Sequence, residues 1–264
     1  MVQKKEQTLD FFKNLDEIKK RLSLKEIFVF LDYDGTLTPI VATPDLAILS
    51  KEMHDKIKIL SQKRNVAIVS GRATDDVKDK VKIDGIFYAG SHGFEIVTPH
   101  GDVKINQQAK NIKNDIDSVY KELLEKLKEV SGSLVEHVKY TISVHYRLVE
   151  EKDFSKVEIA VNDIIKRYPN LRKTKGKKVF EIRPDIDWDK GKAVEWILGA
   201  LKFDAKKQIA IYIGDDTTDE DAFKVLKDKG FGILVSENAR ETKAEYRIND
   251  TEEVKKALDF LIEN

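Results

Sequence analysis

Apolar residues gather along this chain in short runs separated by polar stretches of helical length. The run Ile27 to Leu31 is apolar at five consecutive positions. That predicts a strand buried on both faces, because a half-exposed strand carries a polar residue at every second position. Gly35 ends it. Upstream, residues 8 to 23 place Phe11, Leu15, Ile18 and Leu22 at helical spacing, an amphipathic helix leading into that strand. Downstream the two patterns alternate: a helix near 46 to 62, the strand NVAIVSGR (65 to 72), a short helix after Thr74, and the strand GIFYAGSHG (85 to 93). Strands alternating with helices predict a parallel, doubly wound α/β sheet.

The rhythm then changes. FEIVTPHGDVKI (94 to 105) reads as a hairpin turning at Pro-His-Gly, and a long polar helix follows at about 108 to 130. SLVEHVKYTISVHYRLV gives two adjacent strands, residues 153 to 168 a helix, and LRKTKGKKVFEIRP a second strand pair. This α+β grouping predicts a smaller unit at 106–184 inserted in the sheet domain, whose two parts are 1–105 and 185–264. The α/β pattern resumes with a helix at 190 to 201, the strand QIAIYIGDD, a helix at about 219 to 228, the strand FGILV and a last helix from Thr251 to Ile262.

Composition narrows the chemistry. Lys plus Arg number 47 and Asp plus Glu 47 in 264 residues, so no net field recruits nucleic acid or an anionic membrane, and any anion site must be local. The absence of cysteine excludes disulfides, thiolate nucleophiles and Cys-ligated zinc. No apolar run approaches a membrane span and the N-terminus has no apolar signal core, so a cytoplasmic location is expected. A monomer is also expected.

The carboxyl ends of strands in an open α/β sheet border the ligand crevice. Asp32 and Asp34 follow the first apolar strand there, two residues apart; a carboxylate so placed can serve as nucleophile, general base or metal ligand, or form an ordinary polar turn. NVAIVSGR ends in Ser70, Gly71 and Arg72, whose hydroxyl and backbone N–H groups suit phosphate oxygens. Lys190 in DKGKA stands at a helix start, where a cation is disfavoured unless it has an anionic partner. IAIYIGDDTTDEDAF supplies Asp215, Asp216, Asp219, Glu220 and Asp221, more acids than helix capping needs. Acids of this number beside a phosphate dianion need a cation, and oxygen ligands without a His or Cys cluster suit Mg²⁺.

DYDGT, the SGR strand end, DKGK and GDDTTDE stand in the order of the four motifs of the haloacid dehalogenase (HAD) superfamily of phosphatases, with an insertion of the C2 cap type between the second and third. The resemblance implies that Asp32 attacks phosphorus to form an aspartyl-phosphate and that Asp34 protonates the leaving alcohol and later activates water. It implies that Ser70 and Lys190 hold phosphoryl oxygens. Mg²⁺ would be bound by Asp32, the backbone carbonyl of Asp34 and Asp215, with Asp219 and Asp216 in support.

The alcohol is less legible. Candidates on the inserted unit are Glu136, Arg147, Lys177 and Glu181, with His92, Gly93 and Glu95 from SHGFE on the sheet side. Each taken alone also reads as a solvated charge, and Glu136 with Arg147 as a cross-strand ion pair. GSHGFEI, SVHYR and KKVFEIRP followed by DKGKA resemble the trehalose-6-phosphate phosphatases, which implies that Glu136, Arg147, Lys177 and Glu181 grip sugar hydroxyls. Related phosphatases for sucrose 6-phosphate, mannosyl-3-phosphoglycerate or glucosyl-glycerol phosphate share the core and cap class, and a non-catalytic sugar-phosphate-binding protein is the alternative of another kind. His54, His100, His137 and His145 stand at spacings that suggest no metal site.

Overall fold

The computed structural model describes residues 8–264. The first seven residues of the expected first segment lie outside the described residues. In chain order the strands are β1 (Leu9–Asp10), β2 (Glu26–Leu31), β3 (Asn65–Val69), β4 (Phe87–Gly90), β5 (Glu95–Val97), β6 (Val103–Ile105), β7 (Leu134–Val138), β8 (Thr141–His145), β9 (Leu171–Gly176), β10 (Val179–Pro184), β11 (Gln208–Gly214), β12 (Gly230–Val235) and β13 (Tyr246–Ile248). The helices are α1 (Leu15–Leu22), α2 (Lys51–Lys63), α3 (Thr74–Val81), α4 (Gln107–Leu127), α5 (Glu151–Ile165), α6 (Lys190–Ala200), α7 (Asp219–Val225) and α8 (Thr251–Glu263).

Among the described residues, nine strands form one sheet in the order β1-β13-β12-β11-β2-β3-β4-β5-β6. Its pairs are parallel from β1 through β4, and the β5–β6 hairpin adds an antiparallel edge. β2 lies between β11 and β3, and its unbroken apolar run has a simple cause. Ile27, Val29 and Leu31 face a core built with α1, α2, α3 and α8, while Phe28 and Phe30 face a second core built with α6 and α7. Alternation is present in direction and hidden in composition, because both faces are dry.

The other sheet is antiparallel, in the order β7-β8-β10-β9. One face carries Ile142, Val144, Phe180 and Ile182 against α4 and α5. The register pairs Glu136 with Ser143, Ser143 with Glu181, Glu181 with Thr174, and Arg183 with Arg172, so these polar residues share the opposite face. A face so polar is not a second half of the core. It is a surface for polar ligands or water.

Several boundaries differ from the sequence expectation. The expected helix over 8–23 begins only at Leu15, because Leu9 and Asp10 pair with Tyr246 and Arg247 and Phe11 turns into the core against Tyr246 and Phe260. α2 begins at Lys51, where Ser50 caps it by accepting the Met53 N–H at 3.2 Å. The strand expected over 85–93 stops at Gly90. Ser91, His92 and Gly93 all have positive φ (48°, 57° and 87°) and form a tight left-handed turn, closed by the Phe94 N–H donating to the Ser91 carbonyl at 3.2 Å.

Candidate active site

The sheet delivers Asp32 on a rigid support. Its N–H donates to the Ile213 carbonyl at 3.0 Å, which extends the β2–β11 ladder one residue beyond the strand. The chain then turns through Gly35, at φ 85°. A Cβ there would lie 2.2 Å from Asp215 Oδ2, so the loops after β2 and β11 close on each other only with glycine between them.

α6 aims the central cation. Asp189 caps the helix by accepting the Lys192 N–H at 2.8 Å, and the first helical residue, Lys190, is buried. Its Nζ donates to Asp32 Oδ1 and Asp219 Oδ1, each at 2.7 Å. Asp219 is saturated. Its Oδ1 also accepts from the Tyr212 hydroxyl at 2.7 Å, and its Oδ2 accepts the backbone N–H groups of Asp215 and Asp216 at 3.0 and 2.9 Å. Asp219 therefore fixes both the ammonium and the loop that carries Asp215.

Electrostatics at this cluster is unbalanced. Burial pushes the Asp32 carboxyl well above the usual range, and the nearby Asp219 and Asp215 charges push the same way against Lys190. Asp215 is pushed up to about 6, again chiefly by burial, with Asp219 and Asp216 adding to the effect and Lys177 opposing it. Burial works against the Lys190 ammonium, yet the charges of Asp219 and Asp32 carry its pKa well above the ordinary lysine value. Lys177 reaches across from the β9–β10 turn and donates to Asp215 Oδ2. Two ammonium groups thus face three buried carboxylates before any phosphate arrives.

A divalent cation fits this deficit. Asp32, Asp215 and Asp219 each offer an oxygen within 4.8 Å of the others, and Asp215 Oδ1 is buried without a hydrogen-bond partner. All donors are hard carboxylate oxygens. Because both Asp219 oxygens are already engaged, the atoms left open are Asp32 Oδ2 and Asp215 Oδ1, Asp32 Oδ1 being held by Lys190 and Asp215 Oδ2 by Lys177.

Above the cluster lies a cavity of about 250 Å³ bounded by both sheets. Asp32, Asp34, Gly71, Arg72, His92, Lys190, Asp215 and Asp216 line it from the large sheet, and Glu136, Ser143, His145, Arg147, Lys177 and Glu181 from the small one. His92 Nε2 meets Glu181 Oε1 at 3.1 Å, a polar bridge between the two sides. Burial works to raise the Glu181 pKa, but His92 and the charges of Arg183 and Lys190 outweigh it and hold the group at about 2.

A model of the trehalose-phosphatase family matches residues 30–252, from the end of β2 to the start of α8. The chain belongs to the trehalose-phosphatase family. It is 47% identical over 259 residues to probable trehalose-phosphate phosphatase D of Arabidopsis thaliana, an alignment spanning 94% of this chain and 70% of that protein. Trehalose 6-phosphate phosphatase RA3 of Zea mays is 44% identical over 249 residues, covering 89% of this chain and 69% of the other. The crystal structure of a trehalose-6-phosphate phosphatase related protein superposes with a TM-score of 0.79 at 25% identity, over 89% of this chain and 97% of that one. The HAD fold and the phosphatase family expected from the four motifs are thereby established.

Within this trehalose phosphatase family member, the expected site residues differ in where they fall. Asp32, Asp215 and Lys190 meet at the strand ends, held by Asp219. Ser70 is buried just beyond β3, the strand next to β2, and does not line the cavity; its Oγ accepts the Arg72 N–H at 3.2 Å, and Gly71, which does line it, makes room for the His92 ring, which a Cβ would meet at 3.0 Å. Asp216 borders the cavity, but its Oδ1 accepts from the Thr217 N–H at 2.7 Å. Gly93 and Glu95 stand apart from the cavity lining. At Gly93 a Cβ would press on Ala193 at 2.2 Å, and the buried Glu95 carboxylate takes the Lys139 ammonium at 2.7 Å, joining the β7–β8 turn to the large sheet.

The cross-strand ion pair read for Glu136 and Arg147 does not form. Glu136 Oε2 meets His145 Nε2 at 2.5 Å and Arg147 donates to the Lys177 carbonyl at 2.7 Å. Sequence reasoning passed over Ser143 and His145 as cavity residues. The signal was available: 143, 145 and 147 alternate with the buried Ile142 and Val144, so singling out Arg147 singles out its face.

Proposed function

We propose that the protein hydrolyses trehalose 6-phosphate to trehalose and inorganic phosphate, with Mg²⁺ as cofactor. The observation that carries this reading is the Asp32–Lys190–Asp219 cluster at the ends of β2 and β11, opening into a cavity roofed by the polar face of the small sheet. Asp32 Oδ attacks phosphorus while the bond from phosphorus to the sugar oxygen breaks, and Asp34 gives that oxygen a proton. Water then attacks the aspartyl-phosphate, yielding its proton to Asp34 and releasing Asp32. Ser70 and Lys190 hold the phosphoryl oxygens during both displacements. Asp32, Asp215 and the Asp34 main-chain carbonyl would hold Mg²⁺, which when bound offsets charge on phosphoryl oxygens.

Residues 106–184 act as a cap in this reading. Glu136, Arg147, Lys177 and Glu181 supply donors and acceptors of the kind that hydroxyl-rich sugars need, and their desolvation on closure sharpens discrimination. The reading includes a monomer acting in the cytoplasm on a small-molecule substrate. Among the described residues no helix is long and apolar enough to cross a membrane.

The test is phosphate release with and without Mg²⁺ from trehalose 6-phosphate, sucrose 6-phosphate, mannosyl-3-phosphoglycerate, glucosyl-glycerol phosphate and glucose 6-phosphate. Metal-dependent release with preference for the first supports the proposal. Preference for another ester keeps the chemistry and replaces the sugar, and binding without release points to a non-catalytic role.

A further inference from the structure

The SGR strand end offers Arg72 to a phosphate ester, but the guanidinium of Arg72 is already occupied by protein atoms. Nε donates to Asp34 Oδ2 and Nη2 to Asp34 Oδ1, both at 2.7 Å, a two-pronged fork on one carboxylate. Nη2 also donates to the Pro44 carbonyl at 2.8 Å, and Nη1 to Asp76 Oδ2 at 2.8 Å, from one turn into α3. The guanidinium carbon lies 5.2 Å from the centre of the Tyr33 ring. Four of the five N–H groups that an arginine owns are thus committed to protein atoms. The side chain is 9% exposed, against 39% for Asp34.

Asp34 needs such support. It sits on the turn beyond β2, and among the described residues Arg72 is the sole hydrogen-bond partner of its carboxylate. Without the fork, a half-exposed aspartate on a turn samples several rotamers. With it, both side-chain torsions are set, and each oxygen keeps a second lone pair for a proton in transit.

We infer that Arg72 is a positioning residue for Asp34: Asp76, Pro44 and Tyr33 hold the guanidinium, and the guanidinium holds the carboxylate that exchanges protons with the leaving alcohol and with water. This rests on the role given to Asp34 in the proposed function. Arg72 acts on catalysis through Asp34 and not by gripping the sugar phosphate.

Steady-state kinetics on trehalose 6-phosphate with Mg²⁺ tests this. Arg72→Gln lowers kcat roughly 10- to 100-fold, the scale of a misplaced proton carrier, and leaves KM within about three-fold. In an Asp34→Asn background the same change alters kcat by less than about two-fold, because the group it positions is gone. Asp76→Asn, which loosens the guanidinium from a part-exposed site, lowers kcat about two- to five-fold at unchanged KM and decides the matter if Arg72→Gln does not fold. A KM raised about ten-fold at constant kcat, or a full multiplicative loss in the Asp34→Asn background, overturns the inference and assigns Arg72 to the substrate. An Asp34→Asn enzyme with undiminished turnover overturns both this inference and the role of Asp34, whereas the other two outcomes leave that role intact.

Discussion

Lys190→Met removes the ammonium that joins Asp32 to Asp219, and the structure sets the size of the effect. The Nζ lies 2.7 Å from an oxygen of each, and all three side chains are buried. Deleting one partner of a buried ion pair costs about 3–5 kcal/mol, since the remaining charge is left without water or counter-ion. Two features favour the lower end. Asp219 keeps the Tyr212 hydroxyl and two backbone N–H donors, and Asp32, whose carboxyl burial already pushes upward, relieves the strain by taking a proton. A loss of about 3 kcal/mol lowers the melting temperature of a chain this size by roughly 6–12 °C. The assay is thermal unfolding in chelator-containing buffer, so that no cation masks the missing charge. Lys190→Met/Asp219→Asn, which removes the opposing charge as well, recovers about 1–2 kcal/mol through coupling between contacting residues. A Lys190→Met protein that melts with the wild type, or a double variant that loses the sum of the two single losses, refutes the ion-pair reasoning.

Gly35→Ala strains a φ of 85° and drives a Cβ into Asp215; a loss of about 1–3 kcal/mol and of phosphatase activity is expected, and normal values for both would show that the loop has other room. Glu181 is held at about 2 in the fold, below its ordinary 4.5, so its contribution is complete above about pH 4.5 and disappears as pH falls toward 2. That shift corresponds to roughly 3 kcal/mol, so urea unfolding followed from pH 6 to 2 should show a steep acid loss that Glu181→Gln flattens. Identical slopes would contradict it. Mg²⁺ at about a hundred times its dissociation constant raises wild-type stability by about 2.7 kcal/mol, and Asp215→Asn abolishes the increment in the same melting assay. An increment retained in that variant moves the metal elsewhere.

The parts of the fold legible in the sequence are those with one dominant physical cause. β2, β3 and β11 are buried on both faces and read as apolar runs, and α4 and α8 carry a sustained apolar stripe. β1 and β13 escaped because two and three residues make no pattern; their existence depends on β12 offering a parallel edge. The turn at Ser91–Gly93 escaped because left-handed backbone at Ser91 and His92 is imposed by neighbours, with the Ser91 hydroxyl donating to the Val138 carbonyl at 2.8 Å. In the site, acids at strand ends were visible as a count. What could not be read was which carboxylate takes which cation: Lys190 divides itself between Asp32 and Asp219, Lys177 goes to Asp215, and Arg72 goes to Asp34. Those choices are made by tertiary distances that no local spacing encodes.

Covalent capture of phosphorus by Asp32 is the step on which the whole account depends. Acid-quenching the enzyme during turnover of trehalose 6-phosphate, reducing with borohydride and mapping the peptides reads it directly, because an acyl-phosphate is reduced to the alcohol whereas a free carboxylate is not. Conversion is expected at position 32, dependent on substrate and absent from Asp32→Asn. Conversion at a different carboxylate, or an Asp32→Asn enzyme that still turns over, would contradict it.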